Sequence, residues 1–76
     1  MKELVSFIAS SLVDDAASVQ VSEEERDETV VLELRVAKED LGKVIGKQGR
    51  TARAIRSLLT AASSRNGRKA RLEIME

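Results

Sequence analysis

The chain has no cysteine, no histidine, no proline, no tryptophan and no tyrosine, and its one aromatic residue is Phe7. Without cysteine there is no disulfide, and without histidine as well the common zinc ligand sets are gone. The same two absences remove the most frequent nucleophile and proton shuttle of enzymes. The serines have no visible base partner, and the carboxylates crowd into one stretch, residues 23–28, that suits a turn better than a cleft. No catalysis is expected, and no metal or other cofactor. No apolar run is long enough to span a bilayer, and Glu3 and Ser6 interrupt anything resembling a signal-peptide core. A soluble, unexported chain without membrane contact is expected. The lack of cysteine fits the cytoplasm.

What is present is charge, unevenly spread. The 76 residues suit one small domain, 1–76, near the lower size limit for a fold without staples. The 13 basic and 13 acidic residues cancel. Residues 1–40 carry 4 basic and 11 acidic side chains, net −7, and residues 41–76 carry 9 and 2, net +7. Local charge decides where a polyanion docks, so the second half is a candidate docking surface. Two solvated surfaces of opposite sign are the equally weighted alternative.

Periodicity divides the chain into six elements. Leu4, Val5, Ile8 and Leu12 fall at helical spacing in residues 2–13, with Phe7 beside the stripe. Residues 18–24 read as a short strand with Val19 and Val21 inward, followed by a turn at Arg26-Asp27. Thr29 to Val36 is the clearest strand, with Val30, Leu32, Leu34 and Val36 alternating against Val31, Glu33 and Arg35. Residues 38–45 suggest a short helix burying Leu41, Val44 and Ile45. A longer helix is expected over 50–65, with Ala52, Ile55, Leu59 and Ala62 on one face and Arg50, Arg53 and Ser57 opposite. Asn66-Gly67 stops it. Lys69 to Met75 is a last strand with Ala70, Leu72 and Ile74 inward. The order α-β-β-α-α-β predicts an antiparallel hairpin, then a helical crossover to a parallel strand. Three helices on one face of a three-stranded mixed sheet make a two-layer α+β domain.

Between the last two helices stands Gly46-Lys47-Gln48-Gly49. It is not a nucleotide-phosphate loop of the Gly-x4-Gly-Lys-Ser/Thr kind. Gly42 and Gly46 are one residue too close, Gln48 stands where a hydroxyl is needed, and a helix precedes the loop instead of a strand. A tight turn between helices explains one glycine. It explains less well two glycines flanking a lysine, with Arg50 and Arg53 following.

The stretch Val44-Ile45-Gly46-Lys47-Gln48-Gly49 resembles the Gly-x-x-Gly signature of the KH domain, and the element order resembles its type II form. The longer run from Asp40 to Leu59, and the whole chain length, resemble the small stand-alone bacterial KH proteins of the KhpA group. Ala52 stands where many KH domains have isoleucine, and Lys38 where a proline would open the helix. The resemblance implies non-catalytic binding of single-stranded RNA, with single-stranded DNA as a variant. It implies a post-transcriptional regulator or RNA chaperone linked to cell shape and cell wall organisation.

Under that resemblance Gly46 and Gly49 bring main-chain amides to phosphates, and the next helix adds its N-terminal dipole. Lys47, Arg50, Arg53 and Lys43 supply charge, and Gln48 a neutral polar group. Bases would lie between this unit and the edge of the Thr29–Val36 strand, over Val44, Ile45, Leu34 and Val36, for which plain core is the competing reading. Without aromatic stacking, modest affinity, low specificity and marked salt sensitivity are expected. Ala54, Leu58 and Ala61 make a small-residue strip, either a helix-docking site or an ordinary solvent face. Relatives implied by the resemblance form homodimers and pair with a larger KH-containing protein. The alternative function is therefore a protein-interaction subunit in which RNA binding is secondary.

Overall fold

The structure is a computed structural model that describes every residue except 66 and 76. The first apolar stripe folds as α1, Lys2–Leu12. Its buried line runs through Val5 and Ala9, with Met1, Ile8 and Val13 packed partly against the core. The stripe is thus rotated from the hydropathy reading: Leu4 and Leu12 sit exposed at the margins. Alanine at the centre lets the helix lie close to the sheet.

After a short 3-10 turn at Ala16–Ser18, the chain forms β1, Gln20–Arg26, and β2, Thr29–Arg35, paired antiparallel. β1 runs two residues further than expected, and the turn is at Asp27-Glu28 instead of Arg26-Asp27. The alternation of β2 sets this register, placing Val21, Glu23 and Glu25 opposite Leu34, Leu32 and Val30. Opposed residues share a face, so two glutamates stand on the helix side of the sheet. They are tolerated because β1 is an edge strand and each meets a cation. Glu23 lies 3.9 Å from the Met1 amino group, and Glu25 pairs with Arg68. Asp27 turns the chain at φ 55, a conformation that aspartate accepts more readily than most residues.

The crossover consists of a 3-10 turn at Lys38–Asp40, then α2, Leu41–Ile45, a second 3-10 turn at Lys47–Gly49, and α3, Arg50–Ser64. It returns to β3, Lys69–Met75, parallel to β2. Of the eight residues expected to be helical over 38–45, the last five are α-helical and the first three form the 3-10 turn. Asp40 does not cap it; its carboxylate instead accepts the amides of Asp14 and Asp15, at 3.3 and 3.0 Å. The stop expected at Asn66-Gly67 falls in part on residue 66, outside the described residues. Gly67 is at φ 69, and the amides of Gly67 and Arg68 return to the carbonyls of Ser64 and Ser63.

The strand order is β1-β2-β3. α1 packs over β1, α3 over β3, and α2 touches both helices. The core lies between the layers: Val30, Leu32, Leu34 and Val36 of the central stretch, Val44 of α2, Ile55 and Leu59 of α3, and Leu72 of β3. Three helices on one face of a mixed three-stranded sheet are the expected α+β, type II KH-like architecture. No helix among the described residues is long and apolar enough to cross a membrane.

Candidate functional site

The Gly46–Gly49 segment is a left-handed loop. Gly46 lies at φ 77, ψ 169, Gln48 at φ 58, ψ 25, and Gly49 at φ 75, ψ 13. The first of these is a region that essentially only glycine occupies. The reason for Gly46 is internal. A Cβ there would meet Thr51 Oγ1 at 2.2 Å and the Thr51 backbone nitrogen at 2.8 Å, whereas a Cβ on Gly49 would meet no heavy atom within 4 Å. Packing against Thr51 is thus a reason for glycine at the first position that is independent of any bound chain.

Gly49 is also the N-cap of α3, and no side chain caps the helix. A fifteen-residue helix therefore presents its positive end at the loop without a competing side-chain acceptor. Lys47, Gln48, Arg50 and Arg53 are all exposed around it. Of these side chains Arg53 turns back on the loop: its Nη2 donates to the Gln48 carbonyl at 2.7 Å.

Lys43 is held away from this group. Its ammonium hydrogen-bonds Asp14 and lies 3.4 Å from Asp40, which is 2% exposed. The hydrogen bond from Lys43 to Asp14 raises the lysine's pKa first, and Asp40 adds to it. The Asp40 carboxyl is held below its ordinary range chiefly by the Asp15 amide, against the opposing effect of desolvation. Lys43 thus joins α2 to the α1–β1 connection, and reaching a phosphate would mean leaving two carboxylates.

The expected apolar floor is corrected as well. Val36, Leu34 and Val44 are closed core, and of the four candidates only Ile45, 39% exposed beside the loop, presents apolar surface. The strand edge moves too. β2 is paired on both sides, while β3 pairs with β2 alone among the described residues. A cleft of about 600 Å³ follows that outer strand, lined by Thr60 and Ser64 of α3, by Ala70 and Arg71 of β3 and by Arg68. A second hollow of about 400 Å³ shares Thr60, Ala70 and Arg71 and adds Arg56 and Leu72. Arg53, Arg56, Thr60 and Ser64 recur at spacings of three and four, so they form one flank of α3 running from the loop to the cleft. Arg56, Thr60 and Arg71, which line these hollows, are not among the candidate residues that the sequence suggests. Their signal was the excess of basic residues in the second half, which becomes a surface only once the strand order is known.

The opposite flank of α3 carries Ala54, Leu58 and Ala61, all exposed, with Leu58 at 53%. Leu58, Ala61 and Ala62 border a shallow hollow of about 350 Å³ with Leu4 of α1 and Arg65. Phe7, 72% exposed, lies on the outer side of α1.

A family model described as "KhpA/KhpB, KH domain" matches residues 2–74. The chain is 52% identical to RNA-binding protein KhpA of Clostridium perfringens, over 99% of this chain and 100% of that protein. It is 50% identical to RNA-binding protein KhpA of Listeria monocytogenes over the full length of both. It is 49% identical to the Chlamydia pneumoniae protein of the same name, over 100% of this chain and 97% of that one. No solved structure matches the chain.

Proposed function

From the premise that the chain belongs to the KhpA/KhpB KH-domain family, we propose that it binds single-stranded RNA and performs no reaction on it. The observation that carries this reading is the left-handed glycine loop set directly before the uncapped end of α3, with Lys47 and Arg50 exposed beside it. Main-chain amides and the helix end favour a phosphate there, and the two cations add full charges. The bases pass Ile45 and enter the cleft between α3 and β3, where the outer edge of β3 offers backbone donors and acceptors. Because phosphate contacts position without reading sequence, and no aromatic platform is available, binding is of low specificity. That suits a post-transcriptional regulator or an RNA chaperone in the cytoplasm.

The test is fluorescence anisotropy with a short, unstructured, labelled RNA at low and moderate salt. Wild type binds, and binding weakens as salt rises. The double variant Lys47→Asp, Gln48→Asp, shown folded by circular dichroism, loses binding. Equal affinity of the two proteins at every salt concentration would move the site away from the loop.

A second reading concerns assembly. A KH module holds only about four nucleotides, so a second copy multiplies affinity through effective concentration. The exposed Leu58, beside Ala54 and Ala61 on the flank of α3 away from the cleft, is the surface for it. The same flank would serve a larger KH-containing partner.

A further inference from the structure

Arg53 stands one helical turn beyond the loop and turns back onto it. Its guanidinium takes the carbonyl of Gln48 at 2.7 Å, a charge-assisted hydrogen bond spanning five residues. Gln48 is the loop residue that has a Cβ and yet lies in the left-handed region, at φ 58. That conformation is disfavoured for any residue but glycine. The peptide unit between Gln48 and Gly49 is held at both ends. Arg53 holds its carbonyl, and its N–H donates to the Gly46 carbonyl at 3.1 Å. Breaking the first bond frees the Gln48 carbonyl to swing out and lets the residue relax toward ordinary backbone.

We infer that Arg53 is a positioning residue, which holds Gln48 left-handed in the free protein so that the loop is already shaped before a phosphate arrives. The inference rests on the reading of the loop as the phosphate clamp. It differs from a direct role on the ligand, in which Arg53 would simply be one more cation on the RNA. Pre-organisation strengthens binding by removing the ordering that binding would otherwise require.

The two roles separate experimentally in Arg53→Ala. The first arm is amide hydrogen exchange of the free protein, followed by NMR. If Arg53 braces the loop, the amides of Gly49 and Arg50 exchange at least about threefold faster, while those of β2 are unchanged, since local opening is decoupled from global unfolding. The second arm is binding of a fluorescein-labelled oligouridylate across a salt series. A brace predicts an affinity loss of roughly 3–10-fold at every salt concentration with an unchanged slope of log K against log salt. A lost phosphate contact instead reduces that slope by about 0.7. Faster exchange with an unchanged slope supports the brace. Unchanged exchange, or a slope reduced by about 0.7, overturns it. Gln48→Gly serves as the control variant: glycine is at ease at positive φ, so in that background Arg53→Ala accelerates exchange less. If wild type itself failed to bind the oligouridylate, the clamp reading would fall, and the exchange arm would still decide whether Arg53 shapes the loop.

Discussion

Replacing Gly46 by alanine is the sharpest perturbation of this loop, because two separate obstacles meet at one atom. The backbone at φ 77, ψ 169 lies in a region where a residue with a Cβ is strained by roughly 1–3 kcal/mol. The new Cβ also falls 2.2 Å from Thr51 Oγ1, 2.7 Å from Thr51 Cβ and 2.8 Å from the Thr51 nitrogen. Rotating the threonine clears the hydroxyl but not the other two atoms, which move only with the start of α3. Overpacking of this kind costs a further ~1–3 kcal/mol. A domain of this size has about 4–11 kcal/mol of stability in all, at 0.05–0.15 kcal/mol per residue. Gly46→Ala therefore removes a large share of it.

Gly49→Ala is the matched comparison. At φ 75, ψ 13 with nothing in the way of a Cβ, only the left-handed penalty of roughly 1–2 kcal/mol applies. Urea unfolding followed by circular dichroism measures both. Gly46→Ala should lie below Gly49→Ala by about 1–3 kcal/mol, which is roughly 4–24 °C in Tm at 4–8 °C per kcal/mol. Adding Thr51→Ala to Gly46→Ala recovers only part of the difference, since the Cβ and nitrogen contacts remain. The reasoning is refuted if Gly46→Ala unfolds at the same urea concentration as Gly49→Ala.

Three further outcomes are expected. Asp40 binds its proton less readily in the folded chain than in the unfolded one, so its contribution is present above the ordinary carboxylate range and is lost as pH falls through its lowered native value. Asp40→Asn should be less stable than wild type at neutral pH and decline less steeply toward acid; parallel curves of urea midpoint against pH would contradict this. Leu59→Ala opens the core under α3 and should cost about 2–5 kcal/mol by urea unfolding, whereas Phe7→Ala on the exposed side of α1 should stay within about 0.5 kcal/mol. Ala61→Arg places a charge in the small-residue flank of α3 and should yield a monomer by sedimentation velocity, with an unchanged profile counting against that flank as the contact.

Much of the fold was legible because its signals are local. The alternation from Thr29 to Val36 has a single buried face, and a one-residue slip would turn all four apolar side chains to water. The parallel partner at Lys69–Met75 follows from the crossover length. What was not legible depends on residues distant in sequence. β1 reads as a turn after Glu24 because its charges are balanced by Met1 and by Arg68, which local periodicity does not see. Ala9 and Ser63 are buried yet too small or too polar to weigh in a hydropathy pattern. The Ser63 hydroxyl, which donates to the Thr60 carbonyl at 3.2 Å, is what makes its burial tolerable. At the site, the glycine loop and its cations could be read directly. That Lys43 is bound to Asp14, 29 residues earlier, could not. Nor could the exchange of a β2 edge for a β3 edge, since strand order is a property of the whole sheet.

Strand order also explains how a chain of zero net charge can offer a polyanion a surface. The acidic half builds α1, β1 and β2, and the basic half builds α2, α3 and β3. Because the sheet runs β1-β2-β3, the acidic strand β1 and the edge strand β3 stand on opposite margins, two strand spacings or about 10 Å apart. Screening at physiological ionic strength acts over about 8 Å. A phosphate at the loop or in the cleft along α3 therefore lies nearer Lys47, Arg50, Arg56 and Arg71 than Glu23, Glu24 and Asp27 across the sheet, with Glu33 and Glu73, paired in register on β2 and β3, as the opposing charges close to Arg71. Some cross-talk is removed directly, since Glu25 is paired with Arg68 and Glu24 with Arg26. The total charge of the chain is thus the wrong index of its partner. The separation of charge that the topology imposes, with the basic half on α2, α3 and β3 and the acidic half on α1, β1 and β2, is the better one.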